Sequence, residues 1–377
     1  MKKLLAVLLA LLMVFTLAGC SGDAATDAPA ADEGGETVAE DIKVAVLIPF
    51  LGDNSYFDTV GNGVKEANKL EGITVDIFEC DPDGAAEQAN WMNWYDNVCE
   101  DGTYDLVISG NNSYEQFLYE ACEKYPDQKF MNFDTSAIPE AGVPANCYCC
   151  TFALDDLGYV VGALSSALSQ TGRVGVVVGM DNQAMNQFIG GWCQVLADND
   201  TEYMIYYPGS FTDTALGKSG TEALIEKGCD VIWQVAGGLG NGVIEACSED
   251  EAVWCVGVDQ DQYAQFKDTN PDWANTIITS ALKNSNKIIV GVCQMLLDGT
   301  FDAKLGTKEA WGIPMDGVGI VENDFYKENC PAEVVEKVSS ILASVTAGEV
   351  DVVDTMDWSA EEYEANWAAV RDAKRVE

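Results

Sequence analysis

The sequence predicts an α/β protein of two similar lobes, each built on a parallel sheet and joined by a hinge. Short apolar runs, typical of strands buried on both faces, alternate along the chain with stretches of helical periodicity. This alternation occurs twice, in two halves of similar size. The elements that follow are too few for a third domain. We therefore expect the chain to cross back between the lobes and to leave a ligand cleft between them.

The first lobe is predicted from strand-like runs separated by helical patterns. The runs cover residues 43–49, 73–79, 105–109 and 129–133. The helical patterns lie near residues 58–70, 85–100 and 114–125. A further strand-like stretch at 147–152 and a helix over 157–169 lead into the second half.

The second lobe repeats this arrangement. Its strand-like runs cover residues 173–178, 203–207, 230–235 and 253–258, and its helical patterns lie near 184–198, 214–227 and 241–248. The last part of the chain adds strands at 276–282 and 318–321 and helices near 284–298 and 332–347. We predict one lobe from residues 42–152 plus 276–310 and the other from residues 153–275 plus 311–377.

The N-terminus predicts export and a lipid anchor on the extracytoplasmic face of the cell membrane. Two lysines precede an apolar run that is too short to span a bilayer and has the layout of a signal peptide, residues 1–19. The run ends in Leu17-Ala18-Gly19-Cys20, which resembles the lipobox of bacterial lipoproteins and implies diacylglyceryl attachment to Cys20. Residues 20–41 then predict a flexible, solvated tether. An ordinary signal peptide with an incidental cysteine is the alternative.

Composition excludes several classes of function. The 377 residues include 20 Lys and Arg, 62 Asp and Glu and no histidine, for a net charge of −42. Without histidine there is no Ser-His-Asp or Cys-His catalytic unit and no histidine-ligated metal. A chain this acidic repels nucleic acids and disfavours anionic ligands, so we expect a neutral or cationic solute. We expect no catalytic residues, no cofactor and no metal.

The cysteines beyond Cys20 do not fit a disulfide scaffold. Most of them lie inside apolar runs of a large chain, where cysteine packs as a small hydrophobic residue. Cys147 and Cys150 have C-x-x-C spacing, but they lie in a strand-like stretch that points them to opposite faces. The pattern therefore favours reduced core thiols over a zinc knuckle or a thioredoxin motif.

The loops that follow the strands are the candidate binding site, because ligands of open α/β sheets lie at the carboxyl ends of the strands. The loop after the first strand contains Asp53, Asn54, Ser55 and Tyr56. Asp53 or Ser55 could instead cap the next helix. Tyr56 with the adjacent Phe57 favours a ligand, since aromatic side chains commonly line small-molecule sites.

Five further loops each contribute a candidate residue. They are Asn112 in loop 109–113, Phe211 in loop 209–213, Gly238 in loop 237–242, Asp259 in loop 257–263 and Lys283 in loop 279–284. Asn112 could be only a helix cap, and Lys283 could serve only in an ion pair. The glycine-rich loop lacks the Gly-Lys-Ser/Thr of a P-loop, although its backbone could approach a ligand closely.

With the lipobox and the paired lobes, these loops resemble the basic membrane protein family of lipoproteins. Its members are purine-nucleoside-receptor-like substrate-binding proteins of ABC importers. The resemblance covers roughly residues 42–350. It rests on Gly257-Val258-Asp259 with Gln262, Thr279 to Asn284, Gly209 to Asp213 followed by Gly217-Lys218, Gly237 to Gly242, and Asp298 to Phe301. It implies the type I periplasmic-binding-protein fold with two Rossmann-like lobes, and an ABC permease as membrane partner.

The resemblance also implies roles for individual residues. The family's opening motif of Asp, Lys, Ser, Phe and Asn reads here as Asp53-Asn54-Ser55-Tyr56-Phe57. Carried over by position, Tyr56 and Phe211 would stack a purine base, Asp259 and Lys283 would bind the ribose with help from Asp53, and Asn112 would contact the base edge.

Two alternatives remain open at this point. A protein of the same fold could bind and deliver a sugar or another small polar solute, because the opening motif departs from the family pattern. A surface nucleoside hydrolase would need paired carboxylates around a metal or acting as a base. The close pairs available are Asp259 with Asp261 and Asp155 with Asp156, and the second pair more simply begins a helix.

Overall fold

The computed structural model describes residues 41–81, 90–111 and 114–377. The predicted signal peptide, Cys20, the tether up to residue 40 and Asn112 lie outside the described residues. Within the described ranges, no helix combines the length and apolar character needed to cross a membrane.

The first sheet contains six strands within the described residues, and all of its pairings are parallel. The strands are β1 (Ile42–Ile48), β2 (Ile73–Glu79), β3 (Leu106–Ser109), β4 (Lys129–Phe133), β5 (Cys147–Phe152) and β11 (Thr307–Trp311). Their spatial order is β2-β1-β3-β4-β5-β11. The order reverses beside β1, and in open α/β sheets a crevice forms at this point, outside the carboxyl ends.

The second sheet repeats this topology with six described strands. They are β6 (Arg173–Val178), β7 (Glu202–Tyr206), β8 (Val231–Val235), β9 (Trp254–Asp259), β10 (Ile277–Lys283) and β12 (Val318–Ile320). Their order is β7-β6-β8-β9-β10-β12, and β12 runs antiparallel to β10. The structure thus has the α/β class and the mostly parallel sheets that the sequence predicts.

Helices cover the sheets, which explains why strands such as β8 are buried along their whole length. The helices are α1 (Tyr56–Ala67), α2 (Trp91–Cys99), α3 (Glu115–Lys124), α4 (Leu154–Leu168), α5 (Gln183–Asp198), α6 (Thr214–Glu226), α7 (Gly240–Ser248), α8 (Gln262–Phe266), α9 (Pro271–Thr276), α10 (Ser285–Leu297), α11 (Asp324–Asn329), α12 (Ala332–Thr346) and α13 (Ala360–Arg371).

In the described part of the chain, the backbone passes between the sheets after β5, after β10 and after β11. These passages lie side by side: the Ala153 N–H donates to the Trp311 carbonyl at 3.3 Å, and the Asn284 N–H donates to the Gly317 carbonyl at 2.9 Å. The arrangement forms a hinge of neighbouring segments at the base of the cleft.

The predicted membership of residues 276–310 in the first lobe is wrong for strand β10. This strand pairs in parallel with β9 and therefore belongs to the second sheet. The physical reason is the βαβ rule, since a short helical crossover from β9 returns the chain to the same sheet. Helix α10, which also belongs to residues 276–310, packs against α1 in the first lobe. Gly63 of α1 allows this close approach, because a Cβ there would lie 2.7 Å from the Cα of Asn286.

The twelve cysteines in the described ranges are buried and free. Cys150 faces the larger core together with Tyr148 and Phe152, whereas Cys147 and Cys149 face the core on the other side of the first sheet. Cys147 and Cys150 therefore point to opposite faces, as the strand periodicity predicts.

Candidate functional site

The carboxyl ends of both sheets face a shared cavity of about 350 Å³. This volume lies in the usual range for small-molecule sites. The first lobe contributes Asp53, Tyr56 and Asp134 to its lining, among others, and the second lobe contributes Phe211, Gly238, Asp259 and Lys283. The strand-end loops singled out in the sequence therefore meet at one place.

Asp53 lines the cavity, but its carboxylate is engaged by the backbone at the start of α1. It accepts hydrogen bonds from the N–H groups of Ser55 (3.0 Å), Phe57 (3.0 Å) and Asp58 (3.1 Å). Burial raises the pKa of Asp53, while these hydrogen bonds act in the opposite direction. Asp53 thus has the helix-capping role that was the simpler of its two sequence interpretations.

Ser55 links the two lobes. It stands at the N-cap of α1, yet its hydroxyl does not cap the helix and instead donates to the Asp259 carboxylate of the second lobe. Asp259 ends β9 with a positive φ of 67°, a conformation that aspartate tolerates better than most residues. Burial raises the pKa of Asp259 to about 6, and the Lys283 ammonium and the Ser55 hydroxyl limit the rise.

Lys283 ends β10 and is 5% exposed. Its ammonium forms an ion pair at 2.5 Å with Asp134, which follows β4 in the first lobe. The same ammonium lies 4.5 Å from the ring centre of Tyr56 and 4.9 Å from that of Phe152, distances at which cation–π attraction is significant. A single cation is therefore held between a carboxylate and aromatic rings at the floor of the cavity.

Tyr56 contributes its ring to the cavity from the first turn of α1. The ring contacts Phe57 edge-on at 5.3 Å, and Phe57 in turn contacts Phe50 edge-on at 5.2 Å. These three rings all line the cavity. Burial, with the carboxylates of Asp134 and Asp259, raises the pKa of Tyr56 well above its usual value, so the hydroxyl stays protonated.

Phe211 faces the cavity from the loop between β7 and α6 and is 40% exposed. Its ring lies against Gly179, where a Cβ would come within 2.3 Å of a ring carbon. Its carbonyl accepts a 2.7 Å hydrogen bond from the Leu239 N–H. Gly238 lies next to Leu239, and a Cβ there would make ordinary contacts, at 3.4 Å with the Phe211 carbonyl and at 3.6 Å with the Asp53 carbonyl of the other lobe.

Asn54 and Ser55 stand outside the described lining of the cavity. The Asn54 side chain instead accepts a hydrogen bond from Gln265 of the second lobe at 2.8 Å. Asn111, next to the predicted Asn112, does line the cavity. The loops chosen from the sequence therefore reach the cavity. Local backbone turns decide which side chain of each loop faces it.

Several lining residues were missed by sequence reasoning, including Asp81, Tyr114, Asp134 and Phe188. Asp81 and Asp134 come shortly after predicted strands, so the strand-end rule applied to every strand would have included them. Phe188 lies within α5 and carries no signal that separates it from an ordinary core residue.

Both carboxylate pairs considered for a hydrolase include side chains that lie at the start of a helix. The Asp261 side chain caps α8 by accepting from the Ala264 N–H at 2.9 Å. Asp155 and Asp156 lie in the first turn of α4, as the sequence indicates. No cluster of metal-binding side chains occurs in the described ranges.

Two lobes of one topology, a hinge of neighbouring segments and a cavity between opposed strand ends define a two-lobed ligand-binding protein of the periplasmic-binding type. Residues 42–350 match the family described as ABC transporter substrate-binding protein PnrA-like. The chain belongs to this family. Substrate-binding proteins of ABC transporters bind small ligands and a permease, and they are not enzymes.

Individual relatives agree with this assignment. ABC transporter nucleoside-binding protein BmpA of Lactococcus lactis subsp. cremoris is 25% identical over 369 residues, 93% of this chain and 99% of the relative. Basic membrane protein D of Borreliella burgdorferi is 26% identical over 257 residues, 67% of this chain and 72% of the relative. A solute-binding protein of an ABC transporter system from Aeropyrum pernix K1 shares the fold, with a TM-score of 0.71 at 21% identity over 88% of this chain and 98% of that chain.

Proposed function

We propose that the cleft binds a nucleoside, with a purine base, and delivers it to an ABC permease. The observation that carries this proposal is the position of Asp259 and Lys283 beside an aromatic lining. Charged hydrogen-bonding groups suit the hydroxyls of ribose, and flat rings suit a base. The name of the Lactococcus lactis relative, a nucleoside-binding protein, supports the same ligand class.

The polar end of the proposed site lies at the ends of neighbouring strands β9 and β10. An ammonium has three donors, so Lys283 can bind Asp134 and still donate to a ligand hydroxyl. The Asp259 carboxylate offers acceptor oxygens to the same hydroxyls. Hydrogen bonds of this charged kind contribute about 1.5–3 kcal/mol each.

The aromatic faces of the proposed site are Tyr56 from one lobe, whose ring lies beside the Lys283 ammonium, and Phe211 from the other, and both line the cavity. Stacking of a base contributes about 1–3 kcal/mol per ring. Two stacks and two charged contacts are sufficient for a micromolar site, which requires about −8 kcal/mol. Closure of the lobes around the ligand would present the loaded form to the permease.

The test is thermal unfolding and calorimetric titration of residues 21–377 with guanosine, inosine, adenosine, free bases, ribose and common sugars. A ligand at about a hundred times its Kd stabilises by roughly 2.7 kcal/mol, which a rise in Tm of a few degrees reveals. We expect a rise with purine nucleosides and none with ribose. Binding of sugars alone would overturn the nucleoside assignment while leaving the transport role.

A matched pair of variants tests the aromatic contact. Phe211→Ala should weaken nucleoside binding by about tenfold or more, because it removes one stacking face. Leu216→Ala, which alters another exposed apolar side chain outside the described cavity lining, should not change it. Equal effects of the two variants would contradict the role of Phe211.

We also propose that the mature chain is anchored by a lipid on Cys20 at the extracytoplasmic face of the membrane. The support is the lipobox-like sequence Leu17-Ala18-Gly19-Cys20 and the tether that follows it. A lipid with more than one acyl chain gives stable anchoring. Labelled fatty acid should be incorporated into the wild type and not into Cys20→Ser; equal incorporation would reject the anchor.

A further inference from the structure

We propose that Asn54, Gln262 and Gln265 form an amide latch that holds the lobes closed and sets how long a ligand is retained, without touching the ligand. The proposal rests on ligand binding in the cleft. It assigns Asn54 a role that differs from ligand contact, and it adds two glutamines as positioning residues.

The latch joins the loop before α1 to helix α8 of the opposite lobe. The Gln265 side-chain NH2 donates to the Asn54 side-chain carbonyl at 2.8 Å. The Gln262 side-chain NH2 donates to the Asn54 backbone carbonyl at 3.2 Å. All three residues stand outside the described cavity lining, so these bonds can change without altering the surface that a ligand meets.

Both glutamines are oriented by hydrogen bonds within their own lobe. The Gln262 carbonyl oxygen accepts from Gln234 at 2.8 Å and from the Val258 N–H at 3.0 Å. The Gln265 carbonyl oxygen accepts from Gln260 at 3.1 Å. With these oxygens engaged, each amide directs its NH2 group towards the first lobe, so little side-chain entropy is lost when the lobes meet.

Asn54 is also fixed in advance. Its φ is +57°, a left-handed conformation that asparagine adopts more readily than most residues. Its N–H donates to the Asp58 carboxylate at 2.9 Å, which holds the turn. The acceptor side of the latch is therefore preformed in the first lobe, as the donor side is in the second.

Opening of the lobes must break both latch bonds, whereas ligand entry into the open cleft does not involve them. The latch should consequently act on the dissociation rate and on the closed population, and leave the association rate nearly unchanged. The hydrogen bond between Ser55 and Asp259 also joins the lobes, but a variant that removes it would not distinguish an effect on closure from an effect on ligand contact. The reason is that Asp259 also lines the cavity.

The test compares Asn54→Gly and Gln265→Ala with the wild type. Glycine keeps the positive φ and removes only the side-chain acceptor. Asn54→Asp keeps an acceptor for Gln265 and should restore wild-type behaviour. Asn62→Ala, which alters an exposed asparagine on α1, is the control.

Guanosine and inosine are the probes, with rates measured by stopped flow. We expect both latch variants to release them about threefold to tenfold faster, with association within about twofold of wild type. The double variant should release the ligand no faster than either single variant, because both substitutions break the same hydrogen bond, between the side chains of Gln265 and Asn54. Unchanged dissociation in Asn54→Gly would overturn the latch.

A ligand-free measurement separates this proposal from the nucleoside assignment. Energy transfer between dyes on exposed positions of α1 and α6, attached by chemistry that does not use cysteine, reports the distance between the lobes. If no nucleoside binds the wild type, the nucleoside assignment fails, and the latch is still tested. A lower closed population in Asn54→Gly and Gln265→Ala would support it, and an unchanged distribution would contradict it.

Discussion

Two buried aspartates of the second lobe show opposite ways of keeping a carboxyl group out of water. Asp259, at the end of β9, is 5% exposed, and Asp155, in the first turn of α4, is 9% exposed. Burial raises the pKa of both, to about 6 for Asp259 and to about 8 for Asp155. At pH 7 the first is therefore mostly ionised and the second mostly protonated.

The difference comes from their neighbours. The Lys283 ammonium and the Ser55 hydroxyl stabilise the charge of Asp259, and Ser55 belongs to the other lobe. Asp155 faces the carboxylates of Asp354 and Asp156, which raise its pKa further. The cleft therefore maintains a charge that a ligand can use, while the hinge side of the lobe is most stable when its carboxyl group is neutral.

Removal of the Lys283 ammonium should have the largest effect. Lys283→Met keeps the length and apolar stem of the side chain, but it leaves Asp134 and Asp259 without the cation between them. Breaking a buried pair by removing one partner costs about 3–5 kcal/mol. We expect a loss of roughly 3 kcal/mol in the free energy of unfolding at pH 7, and a smaller loss at pH 5, where Asp259 is mostly protonated.

The matched control is Lys287→Met, four residues further along the chain in the first turn of α10. Its ion pair with Asp316 is exposed to solvent, and such pairs contribute at most about 1 kcal/mol. Denaturant unfolding of both variants makes the comparison. If Lys283→Met were as stable as Lys287→Met, the cleft would not depend on its cation, and the contrast between Asp259 and Asp155 would lose its explanation.

Much of the fold can be predicted from the sequence because buried parallel strands are apolar along their length. Strand β11 could not be found in this way, since Thr307–Trp311 is a largely exposed edge strand with the sequence Thr-Lys-Glu-Ala-Trp. Without β11, the sequence pattern of residues 276–310 predicts only one strand, β10, and this strand belongs to the second sheet. Strand periodicity reports burial and carries no information on which of two similar sheets a strand joins.

The site is predictable to the level of loops. Asp259 and Lys283 were chosen as candidates because they stand where buried strands end, and both line the cavity. Their partners could not be identified, because Ser55 lies 204 residues from Asp259 and Asp134 lies 149 residues from Lys283. These pairs exist only when the two lobes meet, and one sequence does not specify that geometry.

Neutralising the hinge-side carboxyl should have the next largest effect, and it should be stabilising. The folded pKa of Asp155 is raised above its ordinary value of 3.8, so protonation favours the folded state. That contribution is present below about pH 4 and is lost as the pH rises to about 8. Asp155→Asn should raise the free energy of unfolding at pH 8 by roughly 1–3 kcal/mol and flatten its decline between pH 5 and pH 8.

Asp268→Asn is the control for the loss of one negative charge from a strongly acidic chain, because Asp268 is exposed. Chemical unfolding across pH 5–8 distinguishes local from global effects. If both variants gained the same free energy of unfolding, the gain would come from the lower net charge of the chain. The burial of Asp155 would then not explain it.

The smallest expected effect concerns a third buried polar group, the Tyr56 hydroxyl. Its oxygen has no hydrogen-bond partner among the residues that the structure describes. Tyr148 is the matched control, because its hydroxyl donates to Glu309 at 2.8 Å and accepts from the Trp311 indole at 3.0 Å. Tyr56→Phe should stabilise the protein by about 0.5–1 kcal/mol, whereas Tyr148→Phe should destabilise it by about 1–2 kcal/mol.

Guanosine titration completes this comparison, because Tyr56 lines the cavity and Tyr148 is fully buried in the core. If the ring of Tyr56 supplies only a stacking face, Tyr56→Phe should keep the Kd within about twofold of the wild type. A tenfold weaker Kd would mean that the hydroxyl finds its partner on the ligand. It would then belong with Asp259, as a buried polar group that is completed when the cleft is filled.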